Sequence, residues 1–252
     1  MDDTLMRRLI GTIAAFLIVC GAASAQSILA PIMSPAPTGG GGATITFVQG
    51  GTMSHTSSST TVTATTLNGN VTAGDVLLVY ADCDVAGTLS ISDAITGGGS
   101  QTWTAIQSNV SATPAAGQWS VWAAYNATGV PGANTDTITI TSTSTCTNFN
   151  AAVAEFSISP TGSFDQGPAS ASGLTSGSVT PTAANELVIG LVAGGDGGTT
   201  PTAGTGYTLL GATNLGGANP GWEYKIISAI ASQSATFATG SGTVQTSILT
   251  FK

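Results

Sequence analysis

Alternation of apolar and polar positions sets the plan of this chain. From Ala43 onward, short runs rich in Val, Ile and Thr follow one another: ATITFVQ, STTVTATTL, DVLLVYAD, TLSISD, WSVWAAY, DTITITST and NAAVAEFS. Gly, Asn, Asp and Pro separate them. Period-2 runs bounded by turn residues are strands, and no stretch sustains a helical period, so the body is predicted to be all-β. Two runs are apolar at successive positions, Val76 to Ala81 and Leu187 to Ala193. Unbroken apolar runs predict central strands covered on both faces. In WSVW, Trp119 and Trp122 are three apart on a strand and must face opposite sides. Trp119 joins Val121 and Tyr125 on a core face. Trp122, between Ser120 and Ala124, is predicted to face outward and is the candidate ligand-binding side chain.

The strand pattern repeats. GDVLLVYADCD at 74–84 resembles NELVIGLVAGGDGG at 185–198, and QTWTAIQ, WSVWAAY, TITITST and NAAVAEFS have later counterparts in TGYTLLG, GWEYKII, ATFATGS and QTSILTFK. The offset shrinks from 111 to 95 along the chain, as it does when strands are kept and loops shorten. Two tandem small sandwiches and one larger sandwich both fit such a repeat. The single domain over 43–252, with halves of about 43–160 and 161–252, is preferred, because 158–180 holds no long linker and ATITFVQ shows no counterpart. Pairing of that first strand with the C-terminal ILTFK would close an antiparallel, jelly-roll-like sandwich.

Ahead of this body, MDDTLMRR precedes the apolar LIGTIAAFLIVC and the small residues GAASA. This is the pattern of a signal peptide over 1–25, with Ala23-Ser24-Ala25 as the cleavage site and Met6 the better start, since Arg7 and Arg8 follow it. The apolar run of 12 residues is shorter than the roughly 20 that span a bilayer. Val19 disfavours lipid attachment at Cys20. Residues 26–42, QSILAPIMSPAPTGGGG, read as a Pro/Gly-rich linker. The expected location is outside a bacterial cell, secreted or at the surface, with the periplasm as an alternative, and no membrane segment remains after cleavage.

Charge narrows the partners. Beyond residue 25 only Lys225 and Lys252 oppose ten acids, which leaves −8. Nucleic acid is excluded as a partner because phosphate binding needs clustered Lys and Arg. The apolar fraction of 42% excludes a disordered chain. Cys83 and Cys146 form an even pair in an exported chain and predict a disulfide. Asp82 and Asp84 in the first half and Asp196 in the second lie in related acidic loops. Such loops suit calcium, the one cofactor considered, although Asp and Gly also end strands simply because they turn well.

Enzyme chemistries lack parts. A Ser–His–Asp triad would have to use His55, yet no G-x-S-x-G elbow occurs. Glu155, Glu186 and Glu223 are the carboxylates open to glycosidase chemistry, but strand pairing accounts for them. GGGG at 39 and GGG at 97 lack the following helix of a phosphate loop. No catalytic residue is assigned.

The order G-D-(apolar)5, a Gly-rich turn before a Trp-Thr strand, W-S-V-W, T-I-T-I-T and A-V-A-E-F-S resembles β-sandwich modules of secreted bacterial proteins and of phage tail or fibre proteins. The resemblance covers roughly 43–252. It implies a non-enzymatic extracellular or virion-associated module and transfers no catalytic residue. Two functions follow: binding or adhesion to an extracellular glycan or surface protein, or self-association as a cell-surface or virion structural component. A secreted hydrolase ranks third. The compartment is tested by mass spectrometry of exported protein, which is expected to begin at Gln26; an intact leader would contradict it.

Overall fold

The period-2 runs become strands in the computed structural model, which describes residues 43–64, 67–112, 117–132, 136–194, 199–215, 219–238 and 244–252. The leader, the linker and Asp196 lie outside them. The strands are β1 (Thr44–Gly50), β2 (Ser54–Ala64), β3 (Val76–Cys83), β4 (Leu89–Ile95), β5 (Trp103–Ala112), β6 (Gly117–Ala124), β7 (Asp136–Ser159), β8 (Phe164–Ser172), β9 (Glu186–Gly194), β10 (Thr202–Ala203), β11 (Thr208–Ala212), β12 (Gly221–Ile227), β13 (Phe237–Ala238) and β14 (Val244–Phe251). No α-helix occurs among the described residues.

One sheet has the order β1-β7-β3-β6-β5 and the other β11-β12-β9-β14-β8. These are the same sheet built twice. β1, β3, β5, β6 and the end of β7 occupy the places that β8, β9, β11, β12 and β14 occupy in the second half. In the first half β2 and β4 pair with the earlier stretch of the 24-residue β7, from Ile95↔Asp136 to Leu89↔Ser142 on the β4 side. The second half holds reduced equivalents, the β10–β13 pair and the bridges Thr175↔Thr236 and Val179↔Gln233. With β7 serving both layers, β1-β7-β3-β6 in one and β2-β7-β4 in the other, the connectivity is that of a jelly roll.

The first strand does have a counterpart, contrary to its reading in sequence. FVQG at 47–50 is matched by FDQG at 164–167. The register slips between Phe47 and Gln49, and again where Phe164 and Gln166 meet β14. Gly50 and Gly167 both take positive φ, 92° and 109°. β1 pairs with β7, and β14 lies between β8 and β9, so the predicted closure of the first strand onto ILTFK does not form. The second half supplies its own first strand instead.

The two sheets meet through one apolar layer. Val76, Leu78 and Tyr80 of β3, Trp119 of β6 and Phe156 of β7 pack with Leu187, Ile189 and Leu191 of β9, Trp222 of β12 and Phe251 of β14. The other face of β3, Leu77, Val79 and Ala81, packs with Val62, Ile138 and Ile140 under the β2–β7–β4 layer. Val188 and Val192 of β9 are covered by Val179, Ala235 and Phe237. Both unbroken apolar runs are therefore buried on both sides, as predicted. Each Val, Leu or Ile so buried contributes roughly 1.5–3 kcal/mol.

Trp122 faces away from Trp119 as expected, but it is only 5% exposed and belongs to the core under the covering layer. Its outward placement is corrected: the face opposite the sheet–sheet core is not solvent but the underside of β2, β4 and early β7.

The edges of the two sheets meet reciprocally. β1 lies against the β11–β12 side, with Phe47 stacked on Tyr224 at 5.4 Å and Trp222 Nε1 donating to Gly51 O at 2.7 Å. At the other edge Gln107 of β5 donates to Ser170 of β8 at 3.3 Å. At the centre Tyr80 of β3 donates to Val192 O of β9 at 2.8 Å. Such mutual placement of equivalent strands is the arrangement of an isologous dimer, realised within one chain.

A Cβ on Gly50 would stand 2.3 Å from Val153 O, and one on Gly167 2.6 Å from Ile248 O. Gly50→Ala and Gly167→Ala combine this collision with a left-handed backbone and are each expected to cost about 2 kcal/mol or more. Thermal denaturation should show a drop of about 5 °C or more for each variant.

Candidate functional site

The run that ends in ADCD brings β3 to a polar end of the first sheet. There β7 lies between β2 and β3. Asn150 of β7 is opposite Asp82 on one side and His55 on the other, while Asn148 is opposite Ser57 and Cys146 opposite Ser59. Cys83 and Cys146 form the predicted disulfide, with a Cα separation of 5.4 Å across 63 residues. Both cysteines are fully buried. In the chain-entropy description a ring of that size stabilises by roughly 4 kcal/mol. A buried disulfide is compatible with an oxidising extracellular compartment.

The two aspartates around Cys83 do different things. Asp84 accepts hydrogen bonds from Asn148 N at 2.9 Å and Nδ2 at 3.0 Å, and its own N–H bonds Asn148 O. It closes the strand end. Asp82, opposite Asn150 in the β3–β7 pairing, is 2% exposed, and its Oδ2 has no hydrogen-bond partner. Burial pushes its carboxyl up to about 7, the charge of Asp84 adds to the rise, and Asn150 opposes it.

Asn150 is fully buried. Its Oδ1 lies 3.1 Å from His55 Nδ1, and His55 Nε2 lies 3.0 Å from Ser57 Oγ. Of the three aspartates considered for calcium, Asp84 has both oxygens engaged by Asn148, and Asp82 is buried opposite Asn150. Among the described residues no group of three or more His, Cys, Asp or Glu side chains is placed to hold a metal.

The glutamates are buried and separate from one another. Glu155 accepts from Thr72 N at 2.7 Å and from Gln49 Nε2 at 2.5 Å. Glu186 accepts from Ala183 N at 2.7 Å. Glu223 accepts from Gly204 N at 2.8 Å. Each ties a loop to the sheet through its backbone. Burial raises all three carboxyls, and that of Glu223 reaches about 7. Lys225, two residues beyond Glu223 on β12, sets its ammonium over the Tyr207 ring at 4.4 Å, and its charge opposes the rise at Glu223.

Ser57, Asn148 and Asn150 were not legible as site residues in the sequence. The signal available was the shared strand period of His55-x-Ser57 and Asn148-x-Asn150, which places each pair on one face.

No model of a protein family matches the chain, and no curated protein is similar to it. Among solved structures, one described as Cucumber Leaf Spot Virus is 12% identical with a TM-score of 0.22, over 83% of this chain and 90% of that one. At so low a score, the architecture is read from the strand order alone.

Raised carboxyls give the stability a direction with pH. In the folded protein Asp82 and Glu223 keep their protons to about pH 7, whereas in the unfolded chain they lose them near pH 4. The folded state then binds more protons between these values, so their contribution is full below about pH 4 and is lost as pH rises through 7. Acid brings little opposing charge repulsion, because the whole chain holds only 4 Lys and Arg and 1 His. The melting temperature is expected to be about 5 °C or more higher at pH 5 than at pH 8, and Asp82→Asn to flatten the difference. A melting temperature that rises from pH 5 to pH 8 would contradict this account.

Proposed function

We propose that the protein is a structural component of an extracellular assembly and joins further copies of itself through the β11–β12 hairpin. One observation carries the reading. Among the described residues the exposed large apolar side chains are Val48, Leu209, Leu215, Ile226 and Ile230. All but Val48 belong to the β11–β12 hairpin, its connecting loop or the turn that follows it, and β11 is the edge strand of its sheet. An edge strand offers unpaired N–H and C=O groups to another strand, and apolar residues beside it supply the driving force.

Composition supports the same reading. Charged residues make up 6% of the chain, so few of the charges that usually guard a sheet edge are available. The glycan-binding alternative loses its platform, since Trp122 lies in the core. The buried disulfide and the predicted leader suit an extracellular setting.

Light scattering of the exported protein over a concentration series tests the proposal. Growth of mass with concentration is expected. Leu209→Lys combined with Ile226→Lys should abolish it with an unchanged circular dichroism spectrum, since both side chains are exposed. A protein that stays monomeric throughout, or assembles equally well with both lysines, contradicts the proposal.

A further inference from the structure

Hydrogen-bond polarity at Asn150 can be followed from the interior to the surface. A carboxamide has a donor end and an acceptor end, and burial of Asn150 removes water as an alternative partner for either. Nδ2 has no hydrogen-bond partner, so the carbonyl oxygen is the end through which Asn150 acts. Oδ1 faces His55 Nδ1 at 3.1 Å. An acceptor at that distance requires Nδ1 to carry the imidazole hydrogen, which makes Nε2 the nitrogen with the free lone pair. At 3.0 Å from Nε2, the Ser57 hydroxyl donates to it.

Backbone shape presents that hydroxyl. Ser57 is exposed. The next residue, Ser58, takes a φ of 49°, and the β2–β7 register breaks between Ser59 and Thr61. A non-glycine residue in the left-handed region beside a polar relay is the kind of local strain that accompanies functional sites.

We infer that Ser57 is a nucleophile for acyl transfer from carboxylic esters, with His55 as its general base and Asn150 as a positioning residue. Ser57 Oγ forms a bond to the ester carbonyl carbon while its proton passes to Nε2. The carbon–alkoxide bond breaks, and the departing oxygen takes that proton and leaves as an alcohol. Water, giving a proton to Nε2, then attacks the seryl ester, the carboxylic acid departs, and Ser57 Oγ recovers its proton. Esters are the substrate class because Nε2 is the acid that this relay offers a leaving group, and an alkoxide or phenolate departs far more readily than an amine. Assembly through β11 and β12 neither requires this chemistry nor follows from it.

The test is acetylation of the full exported protein by p-nitrophenyl acetate, read by intact mass and peptide mapping. One acetyl group on Ser57 is expected. Ser57→Ala and His55→Gln should each lower the labelling rate at least tenfold with an unchanged circular dichroism spectrum, while Ser59→Ala leaves it unaltered. Asn150→Asp, which keeps an acceptor on Nδ1, should retain the label that Asn150→Ala loses; equal loss in both removes Asn150 from its role. No label, label shared among residues 57–59, or labelling undiminished in His55→Gln overturns the inference.

Discussion

Burial of β3 and β9 on both faces is the constraint on which the rest of the structure depends. A strand apolar at every position cannot sit at the surface of a single sheet; it needs a layer above and a layer below. Each half makes one of these layers for itself, through β2, β4 and early β7 in the first half and the segments around Val179, Ala235 and Phe237 in the second. The other layer has to come from the partner half. The shared stratum of Tyr80, Trp119, Phe156, Trp222 and Phe251 is that common cover. Its polar tips are satisfied across the seam, Tyr80 on Val192 O and Trp222 on Gly51 O, so the aromatic layer fixes the relative position of the sheets as well as filling the space.

The halves have diverged around this common plan. Trp122 stands opposite Val79 in the first sheet, and at the matching place in the second Glu223 stands opposite Gly190. A Cβ on Gly190 would come within 2.8 Å of the Glu223 carboxyl, so the missing side chain makes room for the acid. Where the first half fills its outer core with an indole beneath three strands, the second carries a carboxyl hydrogen-bonded by loop backbone beneath the short β10 and β13. The polar end at Asp82 belongs to the first half alone, since the residue matching Asn150 is Gln245, whose Oε1 accepts from Trp119.

Features fixed by local period were legible in the sequence: strand class, the two-sided burial of β3 and β9, and the opposed faces of Trp119 and Trp122. The disulfide followed from parity and compartment. Features set by distant pairing were not. Trp122 was misplaced because its cover comes from β2, β4 and a β7 long enough to serve two layers, none of which marks the WSVW run itself. His55 and Asn150 are 95 residues apart, and only the β2–β7 register joins them. The counterpart of β1 was overlooked because FDQGPASAS, an edge strand, is too polar to announce itself, although its F-x-Q-G matches that of β1 and both glycines take the same left-handed turn.

If the common apolar layer holds the molecule together, neither half can open alone. Residue-resolved native-state hydrogen exchange tests this most directly, because amides that open only by global unfolding report the full unfolding free energy. The account predicts that the slowest amides of β3 and β9 exchange with the same free energy and respond equally to denaturant. A set of β9 amides that opens at clearly lower free energy while β3 stays protected, or the reverse, would show two independent sandwiches and contradict the shared core.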